Sequence, residues 1–298
     1  MRDGVEPQSI QWMVFLTEAE RKFEKAGFNS PDIEARRIVE SASGYEGSQF
    51  HQGLQELATV NAVNHFENMV RRRLDEEPLQ YVCGSWGFRT LDLMVDKRVL
   101  IPRPETEIVA GIAIKELERS ETRDEKLVAD LGTGSGAIGL SIAAETRNSE
   151  IFLTDISSEA LQVARANLTG LGTLRNRVSI RQGSWFDALL GEHRGKFSLI
   201  VSNPPYISSA EIAELPPDVR DWEPERALVS GEKGTESLEI IIDEAGKWLC
   251  SKGSLVLEMA PHQTSEIANK MRQNGYTDVQ IFPDLTGRQR GVRGIWNS

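Results

Sequence analysis

Apolar residues recur every three or four positions through the first quarter of the chain. The first such run comprises Phe15, Ala19, Phe23 and Ala26, and it predicts an amphipathic helix that ends at Gly27. Ser30-Pro31-Asp32 predicts the start of a second helix, with a serine N-cap and proline at the first helical position. A third helical pattern follows from about 63 to 74. Residues 1–77 are therefore predicted to form a small helical domain.

The pattern then changes from helical spacing to alternation. Leu91, Leu93 and Val95 alternate with Asp92, Met94 and Asp96. A period of two is typical of a strand that has one buried face, so the alternation predicts a hairpin. Residues 78–103 are predicted to be a β-hairpin linker between two domains.

Beyond this linker, runs typical of strands alternate with helical patterns. The predicted strands lie near 127–131, 150–155, 177–182, 197–203 and 253–259. This order predicts an α/β fold with a mainly parallel sheet and helices on both faces, formed by residues 104–298. The last two strand-like runs, 279–282 and 294–296, have no long helix between them and predict an antiparallel hairpin at one edge of the sheet.

Composition and charge narrow the classes of function. The 298 residues are 39% hydrophobic and 27% charged, which is typical of a soluble globular protein. A formal net charge of -11 argues against a protein that binds long stretches of phosphate backbone. The two cysteines have no metal-type spacing, no apolar run reaches the roughly 20 residues that a membrane span needs, and the start lacks the order of a secretory signal. A cytoplasmic protein without a membrane span or a metal site is predicted.

A glycine-rich turn follows the first predicted strand of the sheet and precedes a helical pattern. Its five residues are Gly132, Thr133, Gly134, Ser135 and Gly136. Glycines allow a tight turn and let a ligand approach the backbone, as at the first crossover of a Rossmann-type sheet. The motif alone does not choose between a dinucleotide and S-adenosylmethionine.

Two acidic residues at strand ends favour adenosylmethionine. The carboxylate of Asp130 could help to hold an ammonium group but would repel a pyrophosphate. Asp155 ends the second strand, where an acid can accept hydrogen bonds from two ribose hydroxyls or can cap the next helix. Trp185, after the third strand, could stack on an adenine or belong to the core. Ser184 is given no role.

Asn203-Pro204-Pro205-Tyr206 follows the fourth predicted strand and has no evident packing purpose. The two prolines lack backbone N–H groups, so the main chain at this corner can only accept hydrogen bonds, and Asn203 is driven toward an extended conformation. A planar group that carries N–H donors would fit there. Together with the glycine-rich turn, the tetrapeptide predicts methyl transfer to nitrogen.

The chain resembles the bacterial release factor glutamine methyltransferases over most of its length. The matching stretches are Glu77–Tyr81, Leu100–Glu107, Asp130–Ile142, Ser202–Ile207, Glu223-Pro224 and Ala227-Leu228. The resemblance implies a Rossmann-like, adenosylmethionine-dependent methyltransferase that modifies the glutamine of a Gly-Gly-Gln motif in class 1 peptide chain release factors. S-adenosylhomocysteine would be the product.

Carried over to this sequence, the resemblance also implies the site residues. Gly132 to Gly136, Asp155, Trp185 and Asn203 would line the adenosylmethionine site. Asn203, Pro204, Pro205 and Tyr206 would hold the substrate, and the side chain of Asn203 and the carbonyl of Pro204 would each accept an amide N–H for an in-line transfer. Tyr206 would lie against the flat amide, and the helical domain would help to dock the protein substrate.

Two alternatives stay open at this stage. A nucleic-acid methyltransferase that acts on an exocyclic amine would place a flipped base in the same tetrapeptide. Residues 1–80 contain nine Lys plus Arg against fourteen Asp plus Glu, so nucleic acid is not the predicted partner, although Arg71-Arg72-Arg73 is a local basic cluster. A regulator that binds adenosylmethionine without catalysis is the second alternative, and the intact tetrapeptide counts against it.

Overall fold

The computed structural model describes residues 10–119 and 126–297, and these divide into two compact units, 1–84 and 85–298, at Gly84. The helices of the first unit are α1 (Trp12–Lys25), α2 (Pro31–Ser43), α3 (Phe50–Gly53), α4 (Val60–Leu74) and α5 (Leu79–Cys83). Their apolar faces share one core, in which Phe23 and Phe66 are almost completely buried. The predicted helical character of this region is therefore present in the structure.

The sequence pattern predicts the helix ends of the first unit well. Pro31 occupies the first position of α2, and Gly44 ends that helix with a left-handed φ of 75°. A residue with a Cβ would be strained in this conformation, which is why glycine is common after a helix. The predicted serine cap differs in detail, because the Ser30 side chain makes no capping hydrogen bond in the structure.

The second unit begins with the hairpin of β1 (Ser85–Phe88) and β2 (Leu91–Met94). Residues 78–103, predicted as a hairpin linker, begin instead with helix α5. Pro78 precedes this helix at a φ of -50°, and Gly84 ends it at a φ of 77°, so a single helical turn fits between a proline and a glycine. The division of the chain into three segments at 77 and 103 stays a prediction.

The remaining elements form a three-layer α/β structure. Its helices are α6 (Pro104–Arg119), α7 (Ala137–Glu145), α8 (Ser158–Gly170), α9 (Pro217–Arg220), α10 (Glu225–Leu228), α11 (Glu236–Ala245) and α12 (Thr264–Gln273). Its strands are β3 (Lys126–Leu131), β4 (Ser149–Asp155), β5 (Val178–Gln182), β6 (Phe197–Ser202), β7 (Leu249–Glu258), β8 (Tyr276–Pro283) and β9 (Gln289–Trp296).

These seven strands form one sheet in the order β5-β4-β3-β6-β7-β9-β8. The strands from β5 to β7 are parallel, whereas β9 is antiparallel to both of its neighbours. The C-terminal hairpin therefore lies at one edge, as the sequence predicts. Apolar side chains of α6, α7 and α8 cover one face of the sheet and those of α11 and α12 cover the other.

Candidate active site

Three parallel strands bring the predicted site residues together at one edge of the sheet. Leu131 at the end of β3 is level with Thr154 in β4 and with Ser202 in β6. The glycine-rich turn, Asp155 and Asn203 therefore lie next to one another, because each follows directly in sequence. Parallel α/β sheets commonly bind ligands outside the carboxyl ends of their strands.

A cavity occupies this edge. Of the predicted residues, those that line it are Gly132, Thr133, Gly134, Ser135, Asp155, Trp185, Asn203 and Pro205. Among the residues that the structure describes, Gly136, Pro204 and Tyr206 do not line this cavity. The predicted donor side and part of the predicted acceptor side thus share one space.

Glycine is required at different positions of the turn for different structural reasons. Gly132, Gly134 and Gly136 all have positive φ, at 69°, 57° and 89°, which a residue with a Cβ adopts only with strain. A Cβ on Gly136 would lie 2.7 Å from the Leu140 side chain, so this third glycine allows close packing at the start of α7. A Cβ on Gly134 would meet open space. Gly134 therefore keeps the backbone accessible to a ligand.

Asp130 lies at the bottom of this turn with 1% of its surface exposed. Its Oδ2 accepts hydrogen bonds from Thr133 Oγ1 at 2.6 Å and from the Gly139 backbone N–H at 2.9 Å. Its Oδ1 is buried without a hydrogen-bond partner among the described residues. Burial raises the pKa of this carboxyl to about 6. A ligand ammonium group would satisfy the free oxygen, so this site fits the amino acid part of adenosylmethionine.

Asp155 stabilises the loop from the neighbouring strand. Its Oδ2 accepts the Gly134 N–H at 2.9 Å, and its Oδ1 accepts the Ser157 N–H at 2.8 Å before α8 begins. Burial raises the pKa of the Asp155 carboxyl, which lies against the cavity. The residue that caps α8 is Ser157, whose Oγ accepts the Ala160 N–H at 3.2 Å, so Asp155 supports the cap residue and does not cap the helix itself. The ribose interpretation stays a prediction, and each Asp155 oxygen retains a second lone pair for it.

The Trp185 ring lies beside the glycine-rich turn. A Cβ on Gly132 would lie 3.5 Å from its ring, and the same ring packs on the buried apolar cluster beside α11. Trp185 also has a positive φ of 46°, which is unusual for a bulky residue. The ring lines the cavity while it packs on the core, so the two interpretations of this residue are compatible.

The tetrapeptide after β6 is held by contacts at both of its ends. Asn203 Nδ2 donates to Thr106 Oγ1 in α6 at 3.3 Å. The Tyr206 carbonyl accepts from Gln263 Nε2 at 2.9 Å, and Gln263 is itself buried. The Tyr206 side chain packs on the apolar core, and burial raises the pKa of its hydroxyl. This backbone therefore has a fixed path along one side of the cavity.

Several lining residues were not predicted from the sequence. They are Arg98, Val99, Leu100, Pro102, Thr106, Ala137, Ile138, Ile156, Ser157, Ala160, Gly183, Pro224, Arg226 and Ala227, together with Asp130 and Ser184, which were given no firm role. The available signal was the family resemblance, whose matching stretches include Leu100, Pro102, Thr106, Ala137, Ile138, Pro224 and Ala227. No chemical pattern in the sequence marks the others.

The chain has clear relatives among known proteins. Residues 15–84 match the PrmC N-terminal domain model, and residues 110–215 match the Methyltransferase small domain model. A release factor glutamine methyltransferase from Deinococcus radiodurans is 37% identical over 287 residues, which are 95% of this chain and 98% of the relative. The chain belongs to the release factor glutamine methyltransferase family. The predicted family, the α/β class with a Rossmann-like methyltransferase domain, the glutamine methyltransferase activity and the adenosylmethionine donor are confirmed at this level.

Two further similarities are to a longer protein and to a solved structure. A bifunctional methyltransferase from Rickettsia typhi is 33% identical over 292 residues, but the chain spans only 56% of its length. A solved methyltransferase structure from Pyrococcus furiosus is 19% identical with a TM-score of 0.50, and the match covers 70% of this chain and 90% of that one. This structural likeness shows the fold alone. No helix in 10–119 or 126–297 is long and apolar enough to cross a membrane.

Proposed function

We propose that this family member transfers a methyl group from adenosylmethionine to the side-chain nitrogen of a glutamine in a peptide chain release factor. The orientation of Asn203 carries this proposal. Because its Nδ2 donates to Thr106, its Oδ1 is the atom left to accept an N–H from the substrate. A glutamine amide has two such donors on a planar nitrogen.

The chain's own residues would divide the binding of the donor among three strand ends. Asp130 Oδ1 would accept from the ammonium group, and Asp155 would accept from the ribose hydroxyls. The backbone from Gly132 to Gly136 would form the wall between them, and Trp185 would cover the base. When bound, adenosylmethionine supplies a methyl group on a positively charged sulfur, which a nitrogen lone pair can attack without a metal.

Holding the substrate amide is the main task of Asn203, Pro204, Pro205 and Tyr206. The lone pair of an amide nitrogen is delocalised into the carbonyl, so this nitrogen is a poor nucleophile. Two acceptors, Asn203 Oδ1 and the Pro204 carbonyl, would fix both N–H bonds and leave the nitrogen no rotational freedom. Well-oriented reactants gain about 7–11 kcal/mol in model systems, so positioning can account for much of the acceleration.

No side chain is needed as a general base before the transfer. Alkylation leaves an extra proton on the nitrogen, and that proton is acidic enough to leave to water. Tyr206 would close one side of the amide and exclude water during the transfer. Burial keeps its hydroxyl neutral, since the Tyr206 pKa is raised.

The charges of the first unit favour a protein substrate over nucleic acid. The cluster Arg71-Arg72-Arg73 does not present three free cations, because Arg72 pairs with Glu77 and Arg73 pairs with Glu34 at 2.7 Å. Arg71 lies 3.8 Å from Asp75. Paired arginines gain little from phosphate, because a binding partner must first displace the carboxylate. We propose that this unit contributes to docking of the release factor in the cytoplasm.

An isotope-transfer assay tests the proposal. The protein is incubated with methyl-labelled adenosylmethionine and, in separate reactions, with a release factor, with the same factor carrying Gln→Ala in its Gly-Gly-Gln motif, and with DNA or RNA. We expect label on the unaltered factor alone. Label on nucleic acid but not on the factor would contradict the proposed substrate.

A further inference from the structure

A buried acid lies behind the tetrapeptide and has no part in the function proposed above. Glu258 ends β7, and only 1% of its surface is exposed. Leu257 is level with Ser202 in the neighbouring strand β6, so Glu258 and Asn203 occupy equivalent positions on adjacent parallel strands. This placement puts a carboxyl group beside the acceptor end of the cavity.

Thr106 connects the two residues. Its hydroxyl accepts a hydrogen bond from Asn203 Nδ2 at 3.3 Å, and a side-chain hydrogen bond from Thr106 lowers the pKa of the Glu258 carboxyl. A threonine hydroxyl has a single proton, so a hydroxyl that accepts from Asn203 has its proton free for Glu258. The three side chains therefore form a directed chain in which Asn203 donates to Thr106 and Thr106 donates to Glu258.

We propose that Glu258 is a positioning residue, which fixes the direction of this chain through Thr106 and thereby aims Asn203 Oδ1 at the substrate nitrogen. The inference rests on the proposed role of Asn203 in holding the glutamine amide. An asparagine side chain is nearly symmetric in shape, so packing alone does not decide which of its two ends faces the cavity. A carboxylate that can only accept hydrogen bonds does decide it.

The protonation state of Glu258 determines whether Asn203 Oδ1 faces the substrate. Burial raises the pKa of the Glu258 carboxyl to about 7. A protonated Glu258 can donate to Thr106, whose own proton would then turn toward Asn203 and favour the amide oxygen there. The nitrogen of Asn203 would face the substrate, and two N–H donors would meet. Activity is therefore expected above the pKa of Glu258 and is lost as the pH falls through it.

Other charged groups face Glu258 and shift its pKa further. Arg290 and Arg103 lower it, and Glu105 raises it. The charge of Glu258 in turn raises the pKa of the Tyr206 hydroxyl. Glu258 Oε2 is buried without a hydrogen-bond partner among the described residues. A purely structural Glu258 would serve to balance the two arginines, and it would then have no influence on the orientation of Asn203.

The test measures kcat and KM for the release factor as a function of pH for the unaltered protein, Glu258→Gln, Thr106→Val and Thr106→Ser. We expect kcat of the unaltered protein to fall as the pH decreases through about 7. Glu258→Gln should lower kcat by roughly 10²-fold, the usual effect of a slightly misplaced reactant, and should remove this pH step. Its KM and its Kd for adenosylmethionine should stay unchanged. Thr106→Val should behave alike, and Thr106→Ser should restore both rate and pH step.

Two results would overturn the inference. The first is a Glu258→Gln protein that keeps the pH step of the unaltered protein, and the second is a variant in which kcat and cofactor binding fall together. If Glu258→Gln does not fold, the comparison of Thr106→Val with Thr106→Ser decides in the same way. A protein that labels nucleic acid and not the release factor contradicts the proposed function instead, so the two failures are distinguishable.

Discussion

Replacing Asp130 by asparagine removes one charge from the donor side of the cavity and leaves the shape of the turn intact. In the structure, Oδ2 accepts from Thr133 and from the Gly139 N–H, and the amide oxygen of an asparagine can accept both hydrogen bonds. The amide nitrogen then takes the place of Oδ1, the buried oxygen that has no partner. We expect the turn to persist and the binding of a ligand ammonium group to be lost.

The size of the loss follows from the burial of Asp130, which is 1% exposed. Hydrogen bonds to charged groups contribute about 1.5–3 kcal/mol, and removal of one partner of a buried charge pair costs about 2–5 kcal/mol. We therefore expect Asp130→Asn to weaken adenosylmethionine binding by about 2–4 kcal/mol, which is roughly 30- to 1000-fold in Kd. A screened surface ion pair would contribute at most about 1 kcal/mol, so the measurement separates the two cases.

The pH dependence provides an independent check. The free protein holds a proton on Asp130 below its pKa of about 6, and this proton must leave before the carboxylate can pair with an ammonium group. We expect the Kd of the unaltered protein to rise about tenfold for each pH unit below that value, and this component to be absent from Asp130→Asn. Burial also raises the pKa of Asp155, so the difference between the two profiles is the relevant quantity.

Isothermal titration calorimetry measures both effects. Methylthioadenosine, which has no amino acid part, should bind equally to the unaltered protein and to Asp130→Asn. Asp92→Asn, at an exposed position of β2, is the matched control and should leave both ligands unaffected. An unchanged Kd for adenosylmethionine, or an equal loss for methylthioadenosine, would refute the ammonium contact.

Three further substitutions test the acceptor side, the packing behind the turn and the core. Asn203→Ala should reduce the rate of methyl transfer by at least roughly 10²-fold, whereas calorimetry should show adenosylmethionine binding largely retained. Equal loss of transfer and of binding would mean that Asn203 contacts adenosylmethionine alone. Gly139→Ala should lower the midpoint of thermal unfolding, because the added Cβ would lie 2.1 Å from the Leu153 side chain. Overpacking costs about 1–3 kcal/mol, which outweighs the gain of about 1 kcal/mol in helix propensity, so an unchanged or higher midpoint would contradict this reasoning. Phe152→Ala should cost about 3–5 kcal/mol in urea unfolding, since the ring is 1% exposed, and a loss below about 1 kcal/mol would mean that the core relaxes around it.

The strand ends were the predictable part of the site. Asp155 and Asn203 each come at or directly after an apolar run, and parallel strands place such positions at one edge of a sheet. The glycine-rich turn was predictable because strand, glycines and helix follow one another. The assignment of its third glycine to the ligand stays a prediction; the structure gives Gly136 a packing reason, since a Cβ there would lie 2.7 Å from the Leu140 side chain, and sequence spacing does not reveal such a contact.

The residues behind the tetrapeptide could not be predicted from local patterns. Thr106 lies 97 positions before Asn203, and Glu258 ends a strand directly after the apolar run Leu255-Val256-Leu257. Only the sheet order places β7 beside β6 and brings these side chains together. A buried acid at a strand end carries no spacing signal of its own, so its partner has to be seen in three dimensions.

The proposed recognition by Asn203 and Pro204 would not by itself separate a glutamine amide from an adenine amino group. Both are planar nitrogens with two N–H donors, and both would satisfy the same two acceptors. Discrimination must therefore come from the size of the flat group beside Tyr206 and from surfaces away from the site. A flipped base also brings phosphates, yet the arginines of 71–73 are already paired with carboxylates. A protein loop brings no such charges, which is why the family's release factor substrate agrees with the electrostatics of this chain.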